Sequence, residues 1–176
     1  SFPGRRVGGG TRGECSARTL VHLGPDSSVF APGASGDLAL VQGPTANPVS
    51  LTMTFKPEAG GVSTSQTLPA SPAGVTLLRR SAIGAPTIWE SGFDCASGDA
   101  AASADPLSFI ETASPPAVSL LLSTPEASDT QVQKSLQALR QSCGGTVPAV
   151  ETLAQFGLAD VVTAEWPQQL PVRCPS

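Results

Sequence analysis

Tyrosine is absent from this chain of 176 residues, histidine occurs once (His22) and tryptophan twice (Trp89 and Trp166). Sugar-binding faces and single-strand nucleic-acid platforms stack ligands on exposed rings, so so small a supply argues against both. Charge is thin as well. Asp, Glu, Lys and Arg make up 14% of residues, against about a quarter in ordinary domains, and lysine is confined to Lys56 and Lys134. The net charge of −4 speaks against nucleic acid as a partner, because phosphate neutralisation calls for a basic stripe. Apolar runs are short. The most apolar stretch, Ala117 to Leu122, is strand-sized and far below the roughly 20 residues of a membrane-spanning helix. The only asparagine, Asn47, precedes Pro48, so no N-glycosylation sequon exists.

The shortage extends to catalytic groups. A serine or cysteine hydrolase needs a nucleophile, a base and a group that orients the base. No Gly-x-Ser-x-Gly elbow and no Ser-x-x-Lys pair occurs. His22 is therefore expected to be a structural or exposed strand residue. The carboxylates Glu90, Asp94, Asp99, Asp105, Glu111 and Glu126 are scattered. A glycosidase pair among them would form only in space, and such sites also want aromatics. Asp94, Asp99 and Asp105 lack the dense spacing of a calcium loop. The opening GRRVGGGTRG has no strand before it and no Lys-Ser/Thr after it, so it is not a phosphate-cradling loop. No cofactor, metal or catalytic residue is expected.

What the chain has in abundance is glycine (18), proline (17) and four well-separated cysteines. The first two argue for many turns and short elements. Cys15, Cys95, Cys143 and Cys174 contain no close pair of the kind that structural zinc sites use. Two disulfides are the better reading. Of the three connectivities open to four cysteines, Cys15–Cys95 with Cys143–Cys174 is favoured. The first would tie the N-terminal segment to the end of the β region, and the second would fasten the C-terminal tail. Loop-closure entropy puts each at about 3.5–4.5 kcal/mol, and such bonds imply an oxidising compartment. The chain opens on Ser1, as a mature protein does after signal cleavage, although a shortened chain would look the same.

Short strands are expected over Arg18–Leu23, Asp37–Gln42, Val49–Lys56, Val62–Leu68, Gly74–Arg80, Thr87–Phe93, Leu107–Thr112 and Ala117–Leu122. The clearest is Val49–Lys56, where Val49, Leu51, Met53 and Phe55 alternate with polar residues, the period of a half-buried strand. After the loop-like Ser97–Pro106 the period changes. Val132, Leu136, Leu139 and Cys143 share one helical face within Ser128–Cys143, with Ser128 or Asp129 as cap. A second helix is expected from Thr146, with Pro148 in its first turn and Val150, Leu153 and Phe156 inward. Leu158–Glu165 would form a third short helix, and the tail from Trp166 would be extended. The fold class is thus mainly β: an antiparallel β-sandwich-like domain (residues 15–123) between a Gly/Arg-rich arm (1–14) and a small α-helical cap with a disulfide-tied tail (124–176). Trp89 and Trp166 read as packing residues.

The string Gly8-Gly9-Gly10-Thr11-Arg12-Gly13-x-Cys15, followed by Leu20-Val21, Pro32, Ser71-Pro72-Ala73-Gly74-Val75 and Trp89 six residues before Cys95, resembles a cyanobacterial family of secreted proteins of unassigned activity. The resemblance covers roughly residues 3–95. It implies export, a β-sandwich-like domain and pairing of Cys15 with Cys95, and it carries no catalytic residue. The expected function is a non-catalytic, extracytoplasmic interaction or accessory protein that docks on another protein, with Arg5, Arg6 and Arg12 as partner-binding candidates. Two other readings stand beside it: a secreted carboxylate-dependent hydrolase or lyase, and a β domain with a small ligand between its sheets or under its helical cap.

Overall fold

The computed structural model describes residues 3–8, 19–80, 83–94 and 116–175. These residues form a mainly β structure of two packed sheets. Strands are numbered in chain order. The first sheet runs, in space, β1 (Val7–Gly8), β2 (Leu20–His22), β4 (Asp37–Gln42), β7 (Gly74–Arg79), β11 (Gln169–Arg173) and β10 (Thr146–Pro148). The second runs β3 (Val29–Phe30), β9 (Ala117–Leu121), β8 (Thr87–Phe93), β5 (Leu51–Pro57) and β6 (Thr64–Leu68). The expected Leu107–Thr112 strand lies outside the described residues.

Both sheets are mixed rather than antiparallel. β11 joins β7 in parallel, and β3 joins β9 in parallel. Each of these joins unites segments far apart in the chain, as the long crossover of a parallel pair requires. The tail beyond Trp166 is accordingly a sheet strand and not a loose end.

Register fixes the layers. His22 pairs with Leu40, which pairs with Thr76, and Gln42 pairs with Gly74. These residues therefore share the face of the first sheet that meets the second. Against them stand Leu51, Met53, Phe55, Trp89, Ser91 and Ser119, which share one face through the pairs Met53–Ser91, Phe55–Trp89 and Trp89–Ser119. The predicted alternation of β5 appears directly: Leu51, Met53 and Phe55 are buried while Thr52 and Thr54 are half-buried. β4 is buried at all six residues because its other face is covered too. That covering layer includes helix α1 (Asp129–Arg140), whose Leu136 and Leu139 enter the core.

Side-chain ties fix α1. Arg140 donates from Nε and Nη2 to Asp37 Oδ1 on β4, at 2.8 and 2.7 Å, and Arg79 lies 3.4 Å from the same oxygen. Asp37 is 2% exposed, so removal of either partner charge is expected to be costly. At the other end of α1, Asp129 accepts from the backbone N–H groups of Ala31 and Glu126, and Gln133 donates to the Ala31 carbonyl. Asp129, one of the two predicted caps, thus binds its own helix start to the loop after β3. Gly36, which leads into β4, has φ 68° and lies directly against the Arg80 carbonyl. A side chain there would meet both backbone strain and a clash.

The second helix begins later than expected. Thr146–Pro148 is β10, and α2 spans Ala149–Ala154 with Pro148 extended at its N-cap. The shifted phase turns Ala149, Thr152 and Leu153 inward and leaves Val150 49% exposed, which corrects the expected inner position of Val150. Leu153 and Phe156 are buried as expected. Of the predicted third helix only a 3-10 turn, Ala159–Val161, forms. The arm also differs from expectation. Val7 packs against the core, β1 pairs with β2, and Arg5 exchanges backbone hydrogen bonds with Val118 on β9.

Cys143 and Cys174 form the expected disulfide, with Cα atoms 5.7 Å apart and a sequence separation of 31. Cys15 and Cys95 lie outside the described residues. The bond joins the turn after α1 to the residue that follows β11. Replacing Cys143 and Cys174 together by alanine should lower the unfolding free energy by about 3.5 kcal/mol, read by urea denaturation. A loss below about 1 kcal/mol would mean that hydrogen bonding of β11 to β7 and β10 holds the tail unaided.

Candidate functional site

The one histidine sits between the sheets. His22 Nδ1 lies 2.9 Å from Ser119 Oγ and Nε2 lies 2.8 Å from Ser91 Oγ, so one hydroxyl accepts from the ring and the other donates to it. The imidazole stacks on Trp89 with centroids 3.5 Å apart and planes 6° apart. Phe55 lies beside Trp89 at 6.2 Å, and the Arg80 guanidinium lies 3.8 Å over the Phe55 ring. A Ser–His contact at this distance has the geometry of a nucleophile and its base. Its setting is wrong for catalysis. His22 is 1% exposed, Ser91 is fully buried and Ser119 is 5% exposed, so no substrate reaches them. Burial also holds the imidazole pKa down at about 3, against the usual 6.5, which leaves it a weak base. Of the two expectations for His22, a structural or an exposed strand residue, its burial removes the second.

Among the described residues the carboxylates Glu90, Asp94 and Glu126 do not pair around a cleft. Glu90 and Glu126 are exposed. Asp94 accepts from Ser50 and Thr52 at the end of β5. Asp99, Asp105 and Glu111 lie outside the described residues. Among the described residues no cluster of three or more His, Cys, Asp or Glu side chains forms.

The arginines proposed for partner binding divide. Arg5 is exposed. Arg6 Nη1 donates to the carbonyls of Gly24 (2.7 Å) and Phe156 (2.8 Å), and Nη2 reaches the exposed Asp26 at 3.4 Å. Its guanidinium thereby ties the residue before β1 to the turn after α2. Arg12 lies outside the described residues. Of the two described arginines, Arg5 is exposed and Arg6 is engaged in holding the fold.

Two features carry more promise. The first is the free edge of the second sheet. Among the described residues β6 has β5 as its sole strand partner. Every residue from Gly60 to Thr67 is exposed, and Val62 is 86% exposed. Thr64, Ser65, Gln66 and Thr67 carry no charge and no proline. The sequence placed this strand, but only pairing order reveals an edge. The second feature is a cavity of about 330 Å³ at the end of the sandwich, lined by Gln42, Leu68, Thr76 and Arg173 among others. A larger depression of about 510 Å³ lies beside Trp166, between Thr19, Pro44 and Glu165. There the one carboxylate, Glu165, accepts from Thr163, and Trp166 is 8% exposed against Gly43.

The buried neutral histidine sets a pH dependence. The folded chain binds the His22 proton only near pH 3, while the unfolded chain binds it near 6.5. The unfolded state therefore holds the extra proton between these values, and stability falls as pH drops through that window. The slope attributable to His22 should approach 1.4 kcal/mol per pH unit. Urea denaturation at pH 7, 6 and 5 should show it in the wild type and not in His22→Gln. Equal slopes in both would refute the burial of a neutral ring. No protein-family model, curated protein or solved structure matches this chain.

Proposed function

We propose that this is a non-catalytic, extracytoplasmic β-sandwich protein that acts by docking on another protein, and that the partner contributes an extended segment to the open edge of β6. The observation that carries this reading is the state of that edge. Free strand edges invite pairing, and proteins blunt them with charge, proline, bulges, brevity or cover. The other strand ends are treated in this way: β10 has three residues and ends in Pro148, β3 has two residues, and the β1 side is bridged to β9 through Arg5. β6 is five residues long and uncharged, and all but Leu68 are exposed. Strand addition supplies affinity through backbone hydrogen bonds and selectivity through alternate side chains. The exposed cross-strand rows Thr52–Thr67 and Thr54–Ser65, at 3.2 and 3.4 Å, would flank such a strand with hydroxyl groups.

The placement outside the cytosol is supported by the Cys143–Cys174 bond. Among the described residues no helix is long and apolar enough to cross a membrane. Export also follows from the resemblance of the Gly8–Cys15 segment to the secreted cyanobacterial family. The buried position of His22 supports a role without catalysis.

Backbone N–H groups alternate in direction along a strand. One of Ser65→Pro and Gln66→Pro therefore removes only an outward N–H and leaves the β5–β6 ladder intact. Wild-type chain used as bait in a native extract should retain a partner, and the proline variant that keeps the wild-type melting temperature should lose it. Retention of the partner by both variants, or recovery of the wild type always alone, would sink the edge-docking reading.

A further inference from the structure

Among the described residues, the cavity at the end of the sandwich contains a cation, Arg173, that no carboxylate reaches. Among the described arginines, Arg6, Arg79 and Arg140 each reach a carboxylate, Arg80 lies over the Phe55 ring and Arg5 is exposed. Arg173 has none of these. It is half-buried, Nη2 donates to the Pro72 carbonyl at 2.7 Å, and Nε is buried without an acceptor. Burial lowers its pKa from the usual value, yet a guanidinium remains charged at any physiological pH. An arginine desolvated on one side and lacking an anion is costly unless something completes it.

The surroundings are shaped for that group. Gly74 on β7 lies against the guanidinium, and a Cβ there would come within 2.8 Å of Arg173 Cζ and 3.0 Å of the Pro171 carbonyl oxygen. Only glycine lets the side chain lie flat on the strand. Gln42 and Thr76, both at most 4% exposed, line the same cavity and make no side-chain hydrogen bond among the described residues. By register they stand on the sheet face that also bears Arg173: Gln42 pairs with Gly74, and Thr76 with Arg173. Leu68, Pro69 and Pro175 supply apolar walls. The volume of about 330 Å³ lies at the small end of the range of roughly 300–1,000 Å³ for small-molecule sites.

We propose that this cavity binds a small monocarboxylate with an apolar tail. The carboxylate accepts from the Arg173 guanidinium, with the Gln42 amide and the Thr76 hydroxyl as further donors, and the tail lies against Leu68, Pro69 and Pro175. The charge-assisted contact supplies orientation and the walls supply most of the burial. This inference is independent of the β6 edge, since it requires no protein partner.

The test is a titration of the ¹⁵N-labelled full chain with hexanoate and, separately, with hexanamide at millimolar concentration, followed by NMR. Hexanoate should give saturable shifts at the Gln42 side-chain amide, Thr76 and Arg173 Nε–H, and hexanamide should bind at least about tenfold more weakly. Arg173→Gln should abolish the preference for the acid, and Gly74→Ala, which displaces the guanidinium, should weaken hexanoate by a similar factor. Absence of saturable shifts at these groups, or equal affinity for acid and amide, would overturn the proposal. Both outcomes are read on the wild type, so they stand even where a variant fails to fold.

Discussion

The stack of His22 on Trp89, with the ring's contacts to Ser91 and Ser119, fixes how the two sheets face each other across a mainly apolar interior. Hydrophobic faces alone would bring the sheets together at many offsets, since burial is not directional. A ring that must lie flat on an indole and also meet Ser91 and Ser119 within 2.9 Å accepts one offset only. Shifting either sheet by a residue pair would leave an imidazole and two hydroxyls desolvated without partners, at a cost of about 1–3 kcal/mol each. Hydrogen-bonded buried polar groups specify alignment in this way. The same closure that makes the cluster a good register pin removes it from chemistry, because water and substrate are excluded together.

How much of this was legible follows from the range over which each signal acts. The strands Asp37–Gln42 and Thr87–Phe93 are recognisable residue for residue, and the alternation of Leu51, Met53 and Phe55 announces which face is inward. These are local signals. Strand direction is not local: β11 lies beside β7 in parallel although about a hundred residues separate Val172 from Val75, and nothing in either segment states the direction. The α2 region fails for a related reason. Thr146-Val147-Pro148 has the composition of a helix start, but Val147 pairs with Leu170, and that long-range pairing overrides local preference. Arg173 was the least legible. In a proline-rich tail it reads like any solvated cation, and its significance arises only when β11 places it over Gly74.

Most of the charge on the helical side is already committed to holding the fold. Asp37 receives Arg140 and Arg79, Asp129 ties α1 to the loop after β3, and Arg6 ties the start of β1 to the turn after α2. In a chain with so few charged residues, these ties leave little there for recognition of a partner. The groups left over lie toward the other end of both sheets: the backbone edge of β6, and the half-buried Arg173 with Gln42 and Thr76.

That division has a mechanical basis. Leu68 ends β6, packs into the core and lines the cavity, and Cys174, bonded to the turn after α1, lines it too. The edge strand and the disulfide-held tail therefore meet at the cavity. Groups that await a ligand or a strand are destabilising on their own, because their hydrogen bonds or charge remain incomplete. They persist where the remaining scaffold supplies enough stability to carry them, and here that scaffold is the His22–Trp89 pin, the Asp37–Arg140 pair and the Cys143–Cys174 bond.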